Sequence, residues 1–480
     1  MELTGSPYSF EVLQIESAAL FFVVMSAAFA TWNDFRTGGA DVAQNRETWA
    51  VIGVSLFLGL TGAFCYALGP SMFLLAMELA FGMILAAVRP ANALAFFICL
   101  QFLRPWEIAE ENPLLLALPR VTGLLAIASA VAAYLRSDRK RTQLGRGQWF
   151  LIGFAVWALV TTFFTPTPGD QQKEFFDTFF RAVVIFFLIV SVIKKKEDLA
   201  LLRQVYLWSV AGLATVSIYL SWDDIFREGG ASTDRLHAVG TLENANDIAA
   251  VMVVGIPFAL RRLSQSSRQP IVWIESAFFL ALTLVALYLA QSRGAVVALA
   301  AGGLGWWLLR SKRKWLVIGI GAVIIACAAP FANEVLRRGA EDLDESGASR
   351  ITYWKAGIKM VVKSPVVGVG FGRYPKEYQS NAGEGEQFEF GERTAHSTWI
   401  LALAETGVPG FLLFIAFVIS ILRMGKRVMN TEPDLFVSLI SYLIAISFLS
   451  HTYLIYPYIL MGLVMAAYRM QYRSEKGWAM

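Results

Sequence analysis

The sequence predicts an all-α polytopic membrane protein of about 12–15 transmembrane helices, on three observations. Hydrophobic residues make up 56% of the 480 residues and charged residues only 16%, whereas a soluble globule carries about 25% charged residues because its surface faces water. The mean hydropathy is +0.54, and 35 Phe and 14 Trp add to the apolar load. The apolar residues also gather in runs close to the roughly 20 that a helix needs to cross a bilayer.

In chain order, the clear spans fall at 49–68, 119–135, 148–164, 204–220, 271–290, 294–309, 315–331, 397–421 and 433–449. Weaker ones fall at 15–32, 71–88, 91–103, 179–193, 247–260 and 454–470. The run 91–103, bracketed by Arg89-Pro90 and Arg104-Pro105, is short enough to be re-entrant. Met1 to Ile15 holds Glu2, Glu11 and no basic residue, so no cleaved signal peptide is expected. Cys65, Cys99 and Cys327 lie inside apolar runs without CxxC spacing and read as small hydrophobes.

The net charge of +4, from 41 Lys+Arg against 37 Asp+Glu, is too small to argue for nucleic acid. Its distribution orients the chain. Segments 136–146, 194–196, 261–268, 310–314, 423–427 and 469–476 are basic, while 165–178, 221–246 and 332–395 are longer, mixed or acidic. Alternating the spans from 148 onward puts every basic segment on one side, expected to be the cytoplasm together with the C-terminus. The organisation reads as a transmembrane helical part over 1–331, a periplasmic insertion over 332–395 and C-terminal transmembrane helices over 396–480.

Ionisable residues at a membrane boundary are costly and tend to be functional, and several sit on the outward side. Gln291-Ser292-Arg293-Gly294 separates two apolar runs with no room for a loop, so the turn falls near Arg293. A snorkelling arginine and an anion site built on the guanidinium fork weigh equally there. Arg350 opens an expected amphipathic helix to about Lys363, stopped by Ser364-Pro365, with Ile351, Trp354 and Ile358 on one face; such a helix can lie on the bilayer surface. A cation at that helix's N-terminus would oppose the dipole.

Gly368-Val369-Gly370-Phe371-Gly372-Arg373 lacks the Lys-Ser/Thr of a phosphate loop and reads as a tight turn presenting Arg373 and Tyr374. His396 opens the next span; of the other two histidines, His451 lies at an outer boundary and His237 in an outer loop. A neutral imidazole there can accept a proton or simply cap the helix. Glu405, nine residues on, falls on the opposite face and is expected to pack between helices. Asn244 and Asp247 read as helix caps, Arg235 lies at the same boundary, and Glu78 is a buried acid. No HExxH or Cys/His cluster appears.

At these residues the chain resembles the O-antigen ligase and polymerase family of bacterial envelope glycosyltransferases. The matching pieces run in order: Gly240-Thr241-Leu242-Glu243-Asn244-Ala245-Asn246-Asp247; Ser292-Arg293-Gly294; Arg350 with Trp354 and the Ser364-Pro365 to Gly372 segment; and His396-Ser397 continuing to Leu403-Ala404-Glu405-Thr406-Gly407-Val408-Pro409-Gly410. They cover roughly 235–420.

The resemblance implies an inverting, metal-independent transferase of the bacterial inner membrane, without cofactor, acting on the periplasmic side. Its donor would be a glycan on undecaprenyl diphosphate, and its acceptor lipid A–core (a ligase) or the next lipid-linked repeat (a polymerase). It implies His396 as general base and Arg293 and Arg350 as diphosphate clamps, with Arg235 and Arg373 as further phosphate contacts. Trp354 and Tyr374 would face sugar rings. Its partners would be the lipid-linked glycan, the acceptor and the bilayer. A flippase for lipid-linked oligosaccharide is the competing class. It would require polar residues through the bilayer and paired, broken repeats, neither of which the sequence shows.

Overall fold

The computed structural model describes residues 84, 89–104, 113–135, 144–222, 225, 235–236, 242, 244–265, 270–310, 340–382 and 394–475. Expected spans 15–32, 49–68, 315–331 and, but for Ile84, 71–88 lie outside them, as do Cys65, Cys327, Glu78, His237 and Glu243. The chain is all-α. Its helices are α1 (Pro90–Leu103), α2 (Pro113–Leu135), α3 (Arg146–Thr162), α4 (Pro168–Asp177), α5 (Phe179–Val192), α6 (Lys196–Leu220) and α7 (Ala245–Gln265). There follow α8 (Pro270–Leu289), α9 (Arg293–Arg310), α10 (Ala340–Lys363), α11 (Tyr374–Asn381), α12 (Thr398–Val428), α13 (Pro433–Ala445) and α14 (Ile455–Glu475).

Among the described residues, five stretches are long and apolar enough to cross a membrane: 117–135, 168–192, 196–220, 272–289 and 398–428. Three more, Pro90–Leu103, Arg293–Leu309 and Pro433–Phe448, are apolar but shorter.

The chain divides into two compact units. The first holds 1–140 and 188–292. In it α1 packs on α2 and α6, while α6, α7 and α8 pack on one another. α1 has 14 residues, and Ala91 through Leu103 are all buried, so it lies inside protein along its length. Arg89, just before α1, pairs with the Asp198 carboxylate, which also accepts from the backbone N–H of Lys194 and Lys195. An acid in the first turn of α6 faces the positive end of that helix. Glu275 on α8 accepts from Trp208 (3.0 Å), Gln204 (3.1 Å) and Arg262 (2.6 Å), which keeps these polar groups satisfied inside an apolar bundle.

The second unit holds 141–187 and 293–480, and α12 is its axis. Along α12 pack α3, α10, α13 and α14. This long helix breaks at Gly407, which stands at φ 63, ψ −172. Pro409 has no N–H to give the Glu405 carbonyl, and the Val408 N–H is turned to Pro365 O at 2.8 Å. Buried carbonyls left without donors cost about 1–3 kcal/mol each, so something must fill them. The filler is the glycine-rich loop: Val369 N–H donates to Ala404 O (2.9 Å) and Gly370 N–H to Glu405 O (3.1 Å). The indole of Trp157 donates to Thr406 O at 2.8 Å.

Candidate functional site

The sequence pattern places Arg350 at a helix start. The structure corrects this: α10 begins at Ala340, so Arg350 sits within the helix and the dipole argument against a cation falls away.

Arg350 is one turn before Tyr353, and the Tyr353 ring packs on the His396 ring with centroids 5.4 Å apart. Through Tyr353, the segment of α10 that carries Arg350 lies against His396, 46 positions later in the sequence. Tyr353 is itself held. Its carbonyl accepts from the Tyr374 hydroxyl, and its ring meets Tyr378 edge-on at 5.3 Å. Arg350 is half-buried, and among the described residues its guanidinium has no hydrogen-bond or ion-pair partner. Burial pulls its pKa below the usual arginine value, partly offset by Tyr353. An anion beside it would reverse that penalty.

His396 is half-exposed and takes φ 43, in the left-handed region. A non-glycine residue there stores on the order of 1–3 kcal/mol unless its surroundings hold it. The α12 cap is its neighbour Ser397, whose side chain accepts from Ile400 N–H. Helix α12 is fixed from beneath: the Thr398 hydroxyl donates to Leu449 O (2.7 Å) and accepts from His451 N–H (3.0 Å), while Thr452 Oγ1 donates to Thr398 O (2.8 Å). His451, by contrast, is buried, with its Nδ1 2.7 Å from the Tyr442 hydroxyl.

The glycine-rich loop does more than turn. Gly368, Gly370 and Gly372 all have positive φ, and a Cβ on Gly370 would strike the Thr165 side chain. Phe371 N–H donates to Thr161 Oγ1 (3.2 Å). Glu405, almost fully buried as expected of a residue packed between helices, accepts the Tyr374 N–H at 2.9 Å and so holds the start of α11. This docking escapes a reading of the sequence. Its signal is Gly407 and Pro409 within one apolar run, which marks a helix break.

Tyr374, expected to face sugar, is completely buried, and burial drives its phenol pKa upward. Enclosed in this way it has no surface to offer a ring; it serves as the floor under Tyr353. Arg373 donates to Glu377 at 2.6 Å, while its Nε is buried without a partner. Trp354 is half-buried, its ring 6.4 Å from that of Phe448, an exposed aromatic that the sequence motifs do not single out. Arg293 begins α9, exposed, as the turn placement required.

In the first unit, Arg235 donates to Ala290 O through Nε (3.1 Å) and Nη2 (2.9 Å), and to Asn246 Oδ1 (2.9 Å). It closes the C-terminal end of α8. Asn244 caps α7, its Oδ1 accepting from the N–H of Asn246 and Asp247.

Residues 278–415 match the protein family described as O-antigen ligase. The resemblance to the O-antigen ligase and polymerase family holds. Arg293, Arg350, Arg373 and His396 all fall within the matched segment. Residues 71–262, which include Arg235, match a family of unknown function. The exopolysaccharide production protein ExoQ of Rhizobium meliloti (strain 1021) is 28% identical over 212 residues, covering 41% of this chain and 48% of that protein. The chain thus spans about half the length of the curated relative it matches.

Proposed function

We propose that the chain is an inverting glycosyltransferase that moves a glycan from a polyprenyl diphosphate to an acceptor hydroxyl, and that the site is built on Arg350 and His396. The observation that carries the reading is the packing of His396 on Tyr353, one helical turn after a half-buried guanidinium that has no partner among the described residues. The family resemblance supports the same reading.

In the reaction, His396 takes the proton of the acceptor hydroxyl as its oxygen attacks the anomeric carbon. The bond from that carbon to the diphosphate oxygen breaks, and polyprenyl diphosphate leaves with the electron pair. Arg350 and Arg293 hold the diphosphate and offset the charge that grows on it, the largest kind of catalytic contribution. Arg373, with one N–H unspent, is a further phosphate contact. Trp354 and Phe448 offer sugar an aromatic surface. The site would face the periplasm of the inner membrane.

We favour a ligase whose acceptor is lipid A–core. The relative named for exopolysaccharide production favours a second reading, a polymerase extending a lipid-linked repeat. A glycan gel of a deletion strain, complemented with wild type or His396→Ala, separates them. Full-length chains left on the lipid carrier with bare lipid A–core would mean a ligase; single repeats without long chains would mean a polymerase. Full rescue by a stably expressed His396→Ala would remove the base from both.

A further inference from the structure

One face of α10 is spent on the site: Tyr353, Ala356 and Met360 are buried against α11 and α12. The opposite face carries large apolar side chains that no described residue covers. Ile351 is 54% exposed, Ile358 45% and Val362 76%, and Val366, just past the helix, is 56% exposed. At about 100° per residue the three helical positions fall within an arc of about 40°. They line one edge of the helix. Lys355 and Lys359 are exposed alongside it. The expected face of Ile351, Trp354 and Ile358 is thus split, with Trp354 turned toward the protein and Val362 completing the outer stripe.

The stripe does not end with the helix. α10 runs beside the first part of α12 in the same direction: Tyr353 meets His396, Gly357 is pressed against Ile400 and Ala404, and Pro365 O receives Val408 N–H. The lower end of the stripe therefore adjoins Val408 and Leu412, 42% and 59% exposed, on a helix apolar enough to cross a membrane. A contiguous apolar surface marks a binding or membrane face, and this one continues the surface that a spanning helix offers to lipid.

We propose that the outer face of α10 is seated against the bilayer on the side where α12 begins, with Val362 deepest, beside Val408, Ile351 outermost at the headgroups, and Lys355 and Lys359 reaching anionic headgroups. Apolar residues flanked by lysines whose stems snorkel to the surface are the pattern of an interfacial helix. Arg350 precedes the first residue of the stripe, so the seat sets the height of its guanidinium at the level of headgroup phosphates. This inference stands apart from the proposed reaction, and its test reads no transfer.

The full chain, with its three cysteines replaced by alanine, is given one new cysteine at a time, Ile351→Cys, Ile358→Cys or Val362→Cys. Lys376→Cys on α11, an exposed position, is the aqueous reference. Each is labelled with an environment-sensitive fluorophore and reconstituted in vesicles of phosphatidylethanolamine and phosphatidylglycerol. The stripe labels should be quenched by shallow nitroxide lipids and be roughly tenfold less open to iodide than the Lys376 position. Iodide quenching equal to the reference would mean that the stripe faces water. Shielding from both quenchers would mean that protein covers it, and either result overturns the proposal. Replacing phosphatidylglycerol with phosphatidylcholine should weaken lipid quenching in the wild-type lysine background but not in Lys355→Gln/Lys359→Gln. An equal response in both backgrounds would remove the lysines from the seat.

Discussion

Two arginines, Arg235 in the first unit and Arg350 in the second unit, stand in similar sequence settings: an arginine, a loop, then a polar start to an apolar helix. Their guanidinia meet different fates. Arg235 is consumed by the carbonyl of Ala290 and the side chain of Asn246, closing a helix end that would otherwise be left open. Arg350 is half-buried without a partner among the described residues, one turn from the ring that supports His396. An arginine that completes a helix contributes stability; one left without a partner is the kind the proposed function draws on.

That contrast can be broken, and the largest lever is His396. His396→Ala should lower transfer by about 10²–10⁴-fold, the usual cost of a lost general base, with the protein still inserted and folded, as measured by product formation on purified lipid-linked donor. Arg350→Ala should cost about 10²–10³-fold with an unchanged melting temperature. Arg350→Lys should recover only part of this, because an ammonium cannot replace the planar fork. If Arg350→Ala instead lowered the melting temperature and spared transfer, the two arginines would be of one kind.

Smaller effects sharpen the comparison from the stability side. Arg235→Ala should destabilise the protein by about 1–3 kcal/mol through the orphaned carbonyls, read as a lower melting temperature in detergent. Gly370→Ala, which needs φ 92 and strikes Thr165, should cost about 1–3 kcal/mol and undock the loop that floors the site. Tyr374→Phe, losing one hydrogen bond to Tyr353 O, should cost only about 1 kcal/mol.

The difference between the two segments also marks how far local reading reaches. The Asn244 cap is legible because donor and acceptor lie within three residues. The start of α10 is not, because the apolar pattern begins only at Ile351 whereas the helix begins at Ala340. Tyr374 reads as a sugar contact because it follows a turn, yet its burial depends on α10 and α12 closing over it.

By itself the sequence determined that the chain is helical and lives in lipid, where the five long apolar helices fall, and which motifs resemble a family, since hydropathy and short-range order are written residue by residue. The tertiary structure decided which arginine is spent on a helix end and which has no partner among the described residues. It also decided that the glycine loop supplies the donors that the break at Gly407 leaves wanting. Both outcomes depend on hydrogen-bond partners tens of residues away, and a buried donor or acceptor is satisfied only by what the fold brings to it.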